Sequence, residues 1–239
     1  MSHIKTVEAF GKLMGICTGY GGSFNPGRPN LQANAMSALT NNARQVMADV
    51  HAAQTEFDNA TNTREVAFKD IQRLGTRIIS TLKASGASKL TIEDAQASVR
   101  KLTGKRAGSR LPLPAEAATA PKPRTRTARG LDYASMAYHF AKLLETVSAE
   151  ASYQPNEAEL SVAGLTSQMA NLQSLNLAVN SASAQLSNVR TKRNALLYAD
   201  ANNVVDIGNA VKQYVRAAYG PASEQNKEVK RIRFTKPTK

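Results

Sequence analysis

The sequence predicts an all-α protein: two tandem copies of one helical unit, whose long heptad-patterned helices pack as a bundle. Three observations carry this. Landmarks recur in unchanged order and at nearly constant spacing. Phe10-Gly11-Lys12-Leu13-Met14 returns as Phe140-Ala141-Lys142-Leu143-Leu144, and the stretch at Pro29-Asn30-Leu31 returns around Leu160. Val99-Arg100-Lys101-Leu102 returns as Val229-Lys230-Arg231-Ile232. A fixed spacing in fixed order is the signature of an internal repeat. Second, a long apolar run keeps a heptad period. Third, the chain is 42% hydrophobic but only 5% aromatic, with no Trp. Much of the apolar content is Ala, which suits close helix packing rather than a broad sheet core or a deep ligand pocket.

The first helix is expected near Ile4 to Cys17, with Ile4, Val7, Phe10, Leu13 or Met14, and Cys17 on one face. Thr18 to Pro29 is rich in Gly, Pro and Asn and reads as a loop, after which Pro29 sets a helix start near Asn30 or Leu31. Leu39, Ala43, Val46, Val50, Ala53, Phe57, Ala60, Arg64, Ala67, Ile71, Leu74 and Ile78 then alternate steps of four and three, and all but Arg64 are apolar. That is a heptad seam. One helix from about Leu31 to Ala84, roughly 80 Å long at 1.5 Å per residue, is the simplest reading. Its rival is a hairpin turning at Asn59 to Asn62, where Asn and Asp tolerate a tight turn. Gly86 ends the helix. A shorter one follows from about Thr91 to Leu102, with Thr91 and Asp94 as a capping pair.

The second copy opens with a helix from about Leu131 to Ser148, followed by a shorter loop, SYQPNE. Its seam is Leu175, Val179, Ala182, Leu186, Val189, Arg193 and Leu196, which match Val46, Val50, Ala53, Phe57, Ala60, Arg64 and Ala67 at one constant offset. Arg193 therefore matches Arg64. Leu74-Gly75 matches Ile207-Gly208 at a longer offset, which puts four extra residues near YADANN. A heptad helix absorbs four residues as a stutter, and a loop absorbs them as well. Between the copies, the Pro- and Ala-rich segment is expected to be extended and partly polyproline-like. The expected divisions are 1–103 for the first repeat, 104–130 for a basic linker, 131–223 for the second repeat and 224–239 for a basic tail.

The formal net charge is +13, and most of it sits in linker and tail. Lys105, Arg106, Arg110, Lys122, Arg124, Arg126 and Arg129 share the linker with a single acid, Glu116. The tail carries Lys227, Lys230, Arg231, Arg233, Lys236 and Lys239 against Glu224 and Glu228. Lys and Arg arms of this kind neutralise phosphates and release counterions, so DNA, RNA or another polyanion is the expected partner. A solubilising linker and terminus is the plainer alternative. Phe234 is the tail's only aromatic, so no stacking platform for single strands is indicated.

Catalytic and metal chemistry find little footing. His3, His51 and His139 have no partner at ligand spacing, and Cys17 is the only cysteine, so neither an intrachain disulfide nor a Cys-based zinc site is available. Cys17 reads as a buried structural thiol. Gly19-Tyr20-Gly21-Gly22 is not a phosphate loop, and Gly75 and Gly208 read as places of close helix approach. Asp200, Asn202, Asn203 and Asp206 lack the alternation of a calcium loop and read as a polar turn. Arg64 and Arg193 are costly in an apolar seam unless they find a partner, and they are candidate register or anion contacts. No run of about 18 apolar residues spans a membrane, and the N-terminus lacks a signal-peptide core, which makes cytoplasm the default.

The Pro- and Asn-containing loop, the Ala-rich heptad segment with its one Arg, and the ending Leu74-Gly75-Thr76-Arg77-Ile78-Ile79 together resemble uncharacterised helical proteins of Bacteroidetes-type bacteria. The resemblance implies a helical fold and nothing about activity. The expectation is therefore a non-enzymatic helical binding or scaffolding protein, without cofactor or metal, whose basic linker and tail contact an anionic partner. The alternative is a structural protein that self-assembles into a homo-oligomer or larger array.

Overall fold

A computed structural model of the chain describes residues 3–104 and 132–234. Among these it is all-α, without a strand. The elements are α1 (His3–Gly19), α2 (Ala33–Ala84), α3 (Lys89–Leu102), α4 (Tyr133–Ser148), α5 (Val162–Asn194), α6 (Val204–Tyr219) and α7 (Glu224–Lys230). All of the linker except Gly104 lies outside the described residues, with Lys105, Arg106, Arg110, Lys122, Arg124, Arg126 and Arg129. Lys236 and Lys239 of the tail lie outside them too.

Helix α2 is continuous for 52 residues, so the hairpin is not formed. Asn59 and Asn62 stay right-handed, since no described non-glycine residue has positive φ, and the Thr63 hydroxyl donates to the Asn59 carbonyl at 2.9 Å. Gly86, at φ 79°, ends the helix in the left-handed conformation that glycine takes without penalty. Helix α3 starts earlier than the Thr91–Asp94 pair suggests. Ser88 is the cap, and its hydroxyl accepts from the Thr91 backbone N–H at 3.1 Å. The second long helix is broken. After α5 comes a π-helical turn over Ala195–Ala199, then a turn in which Asn203 caps α6 by accepting from the Asp206 N–H at 2.9 Å. Where the sequence comparison expected four extra residues, the chain forms a π turn and a capping loop, not a continuous coil.

The compact units do not follow the sequence halves. One comprises Met1–Phe57 with Ala182–Lys239, and the other is Asp58–Ser181. The expected divisions at 103 and 131 group the helices differently, and connectivity explains why. α1 is tied to the first turn of α2 and α3 to its last. A helix that does not fold back cannot bring both into one core, so each takes partners from the other half of the chain.

In the first unit, Val7, Phe10, Leu13 and Cys17 of α1 pack with Met36, with Val211 and Val215 of α6, and with Val229 and Ile232. The expected tail is therefore folded as far as Phe234, whose ring meets Phe10 edge-on at 6.3 Å. The loop after α1 is pinned by side chains. Phe24 packs edge-on against Tyr214 at 5.4 Å, Ser23 and Tyr219 share a hydroxyl hydrogen bond at 2.9 Å, and the Asn25 N–H donates to the Tyr214 hydroxyl at 3.2 Å. In the second unit, Phe68, Ile71, Ile78 and Leu82 of α2 pack with Leu102 of α3, with Phe140, Leu143 and Val147 of α4, and with Leu165 and Leu172 of α5. Gly75 lets α3 approach: a Cβ there would lie 3.3 Å from Leu102 and 3.4 Å from Val99. Gly208 instead faces the Phe234 ring, 2.7 Å from where its Cβ would be.

Burial repeats along the chain. The buried positions of α1, namely Thr6, Val7, Phe10, Leu13 and Cys17, are matched one by one, at the offset of the first landmark, by Met136, Ala137, Phe140, Leu143 and Val147 of α4. Ile71, Ile78 and Leu82 are matched, at the longer offset, by Val204, Val211 and Val215. The residues of the expected heptad seam are less deeply covered. Ala43, Ala53, Ile71 and Ile78 are buried, whereas Val46, Val50, Phe57, Ala60 and Arg64 are half-buried. In the second seam Val179, Ala182 and Leu186 are buried.

Candidate polyanion-binding face

The three described cations of the expected anion contact lie together on the first unit. Lys230 ends α7, Arg231 caps it, and Arg233 follows. Their direction is set by their neighbours. Val229 and Ile232 are buried and Phe234 packs on the core, so the intervening Lys230, Arg231 and Arg233 are left exposed. Lys212 of α6 fixes the backbone between them by donating from Nζ to the Ile232 carbonyl at 2.7 Å. Burial and then the neighbouring Arg233 charge lower the Lys212 pKa. Thus the sequence's basic arm is a clamped segment as far as Phe234.

Two shallow grooves flank this segment. One, of about 240 Å³, is lined by Lys212, Gln213, Arg216, Pro221, Asn226 and Lys230. The other, of about 360 Å³, runs between α1 and the chain end and is lined by Ala9, Lys12, Ile16, Glu228, Arg231, Ile232 and Arg233. Six cations from three helices and the segment after α7 border the two grooves, and Glu228 is the one acid lining them. Tyr20 donates to Glu228 at 3.3 Å, and burial followed by that carboxylate pushes the Tyr20 pKa up to about 12. Lys227, by contrast, is taken up by Glu224 at 2.7 Å. Among the described residues, Lys12, Arg216, Lys230, Arg231 and Arg233 have no ion pair. Unpaired cations beside grooves on a folded surface are suited to phosphate oxygens, because a backbone already held by packing loses less freedom on binding than an arm does.

Lys12, Lys212 and Arg216 were not singled out by sequence reasoning. A signal for Lys12 was present, since the similar stretches Phe10-Gly11-Lys12-Leu13 and Phe140-Ala141-Lys142-Leu143 both carry a lysine. Lys212 and Arg216 had none, being two cations on an ordinary amphipathic helix.

The seam arginines have partners within their own units. The Arg64 guanidinium lies 4.1 Å from the centre of the Tyr133 ring, a cation–π contact. Arg193 donates to Asn194 Oδ1 at 2.9 and 3.1 Å. His3 bonds through Nδ1 to the Tyr198 hydroxyl at 2.9 Å, and burial and the Arg193 charge lower its pKa. The Asp200–Asp206 cluster serves the start of α6: Asn203 caps the helix, and Asn202 Oδ1 accepts from Asn30 at 2.6 Å and from Arg28 at 3.3 Å. Among the described residues no three His, Cys, Asp or Glu are grouped as metal ligands would be, and no helix is long and apolar enough to cross a membrane.

Cys17 is buried in the first unit's core, and desolvation pushes its thiol up to about 12. At about pH 8 the native protein should therefore consume thiol-specific reagent only as fast as it unfolds, and fully once denatured. Stoichiometric labelling of the folded chain within minutes would show that α1 leaves its core far more readily than this packing implies.

Compared with known proteins, the chain matches no family model, no curated protein and no solved structure. The resemblance to Bacteroidetes-type helical proteins thus rests on sequence pattern alone.

Proposed function

We propose that this chain is a non-enzymatic, cytoplasmic helical binding protein for a polyanion, nucleic acid being the favoured partner, and that it arose as one helical unit used twice. The carrying observation is the set of unpaired cations that Val229, Ile232 and Phe234 hold outward beside two grooves. The basic linker would add further phosphate contacts. The recurrence of buried positions between α1 and α4, and between the end of α2 and α6, supports the duplication. Heptad packing would then belong to the long helices, with Arg64 and Arg193 as register positions whose charge meets nearby aromatic or polar groups.

The test is fluorescence anisotropy with a labelled duplex of mixed sequence and a matching single strand. Affinity should fall some ten- to a thousand-fold between about 50 and about 200 mM salt, since log K falls linearly with log salt as counterions are released. Absence of binding at the lower salt sinks the reading.

Self-assembly is the second reading. It is favoured by Val66 and Leu177 of the second unit, large apolar side chains that are 64% and 67% exposed. It requires a particle size that grows with concentration and persists at high salt.

A further inference from the structure

We propose that the second unit carries its own phosphate-backbone contact, formed by Lys101 of α3 with His139 and Lys142 of α4. This rests on the polyanion reading above and adds a surface that neither linker nor tail supplies.

The argument starts from register. Helices α1 and α4 bury the same positions of the repeat, so Lys142 stands on α4 where Lys12 stands on α1. Leu102 and Ile232, matched at the same offset, are both buried in their units, which gives the preceding residues, Lys101 and Arg231, the same place relative to that anchor. Lys12 and Arg231 line the groove between α1 and the chain end of the first unit. Their counterparts Lys142 and Lys101 are likewise exposed, on two helices whose apolar faces share one core.

His139 ties the three together. It replaces Ala9, which lines the first unit's groove. His139 and Lys142, three residues apart on α4, share a helix face, and α3 with Lys101 packs on the same core as α4; burial lowers the His139 pKa most, and the charges of Lys101 and then Lys142 lower it further. Asp132, at the start of α4, is the acid acting on it in the opposite sense. Among the described residues neither Lys101 nor Lys142 has an ion pair, and His139 Nδ1 is buried without a hydrogen-bond partner. Like charges held together with no carboxylate salt bridge repel one another, and an anion relieves that repulsion. Low sequence identity between the copies hides this correspondence, because lysine replaces arginine and histidine replaces alanine.

The experiment uses the full chain and the labelled duplex, titrated across salt. Lys101→Glu with Lys142→Glu should weaken binding about ten-fold or more, and Lys101→Gln with Lys142→Gln should lower the salt slope by about two. Lys12→Glu with Arg231→Glu should do the same for the first unit. The same charge change at exposed Lys69 and Lys83 controls for net charge. Circular dichroism melts establish that each variant is folded. If the Lys101/Lys142 variants bind like the wild type, or no more weakly than the control pair, this second contact is wrong while the first-unit reading stands on Lys12 and Arg231. If the wild type itself does not bind at low salt, the polyanion reading fails and this contact with it.

Discussion

Phe10→Ala and Phe140→Ala are each expected to remove about 3–5 kcal/mol of stability, the usual cost of emptying a packed aromatic site. Both rings have no exposed surface. Phe10 fills the first unit's core beside Leu13 and the edge of Phe234, and Phe140 fills the second unit's core with Leu143 and Leu102. The two rings belong to different cores. Urea titration followed by circular dichroism measures the loss, and limited proteolysis shows where it falls. Phe10→Ala should open cleavage in α1 and α6 first, Phe140→Ala in α3 and α4. A loss under about 1 kcal/mol for either would show that the ring is not in a close-packed core.

Gly164→Ala should destabilise by about 3 kcal/mol or more, although alanine is the better helix former by about 1 kcal/mol. The reason is local. A Cβ on Gly164 would overlap the Ala158 carbonyl oxygen and lie 3.1 Å from its carbon and 3.3 Å from Ser161 Oγ. The same serine closes the turn: its hydroxyl donates to the Ala158 carbonyl at 2.8 Å and accepts from the Gly164 N–H at 3.1 Å. Backbone cannot swing aside as a side-chain tip can, so the start of α5 must rearrange. Gly15 of α1 is the matched control. Its Cβ would meet nothing within 4 Å. Gly15→Ala should therefore stabilise by up to about 1 kcal/mol. Thermal melts of the two variants should move in opposite directions. A Gly164→Ala variant as stable as the wild type would mean that the turn at Ala158 is not formed as described.

The helices were largely legible in the sequence because their signals are local. The apolar face of α1 could be read from Val7, Phe10, Leu13 and Cys17, although Ile4, expected on the same face, is 55% exposed; the end of α2 could be read from Gly86, since each depends on residues within a few turns. The unbroken α2 was legible in the same way, through a seam that keeps phase past Asn59. Where two local signals compete, the sequence was less decisive. Thr91–Asp94 resembles a cap, but Ser88 lies at the position where the helix begins. The segment near YADANN suits a continuous coil as well as a loop, and Asn203 decides for a loop by capping α6.

For the candidate site, Lys230, Arg231 and Arg233 were identified from charge density, yet their character was not. A run of cations reads as an arm, and only packing shows that Val229, Ile232 and Phe234 fasten it to α1 and α6. Lys212 and Arg216 join it because α6 folds there, and nothing in their own neighbourhood announces that.

By itself, the sequence determined the helical class, most of the buried face of α1, the bounds of α1 to α4 to within a few residues, and that cations cluster around Lys230 to Arg233. Tertiary structure alone decided which faces meet. Faces as alike as those of Phe10 and Phe140 are near-equivalent partners for any matching core, so periodicity names the buried side without naming what covers it. The choice falls to connectivity. An α2 that never turns back denies α1 and α3 a common core, and α1 therefore packs with α6 and α7 while α3 packs with α4.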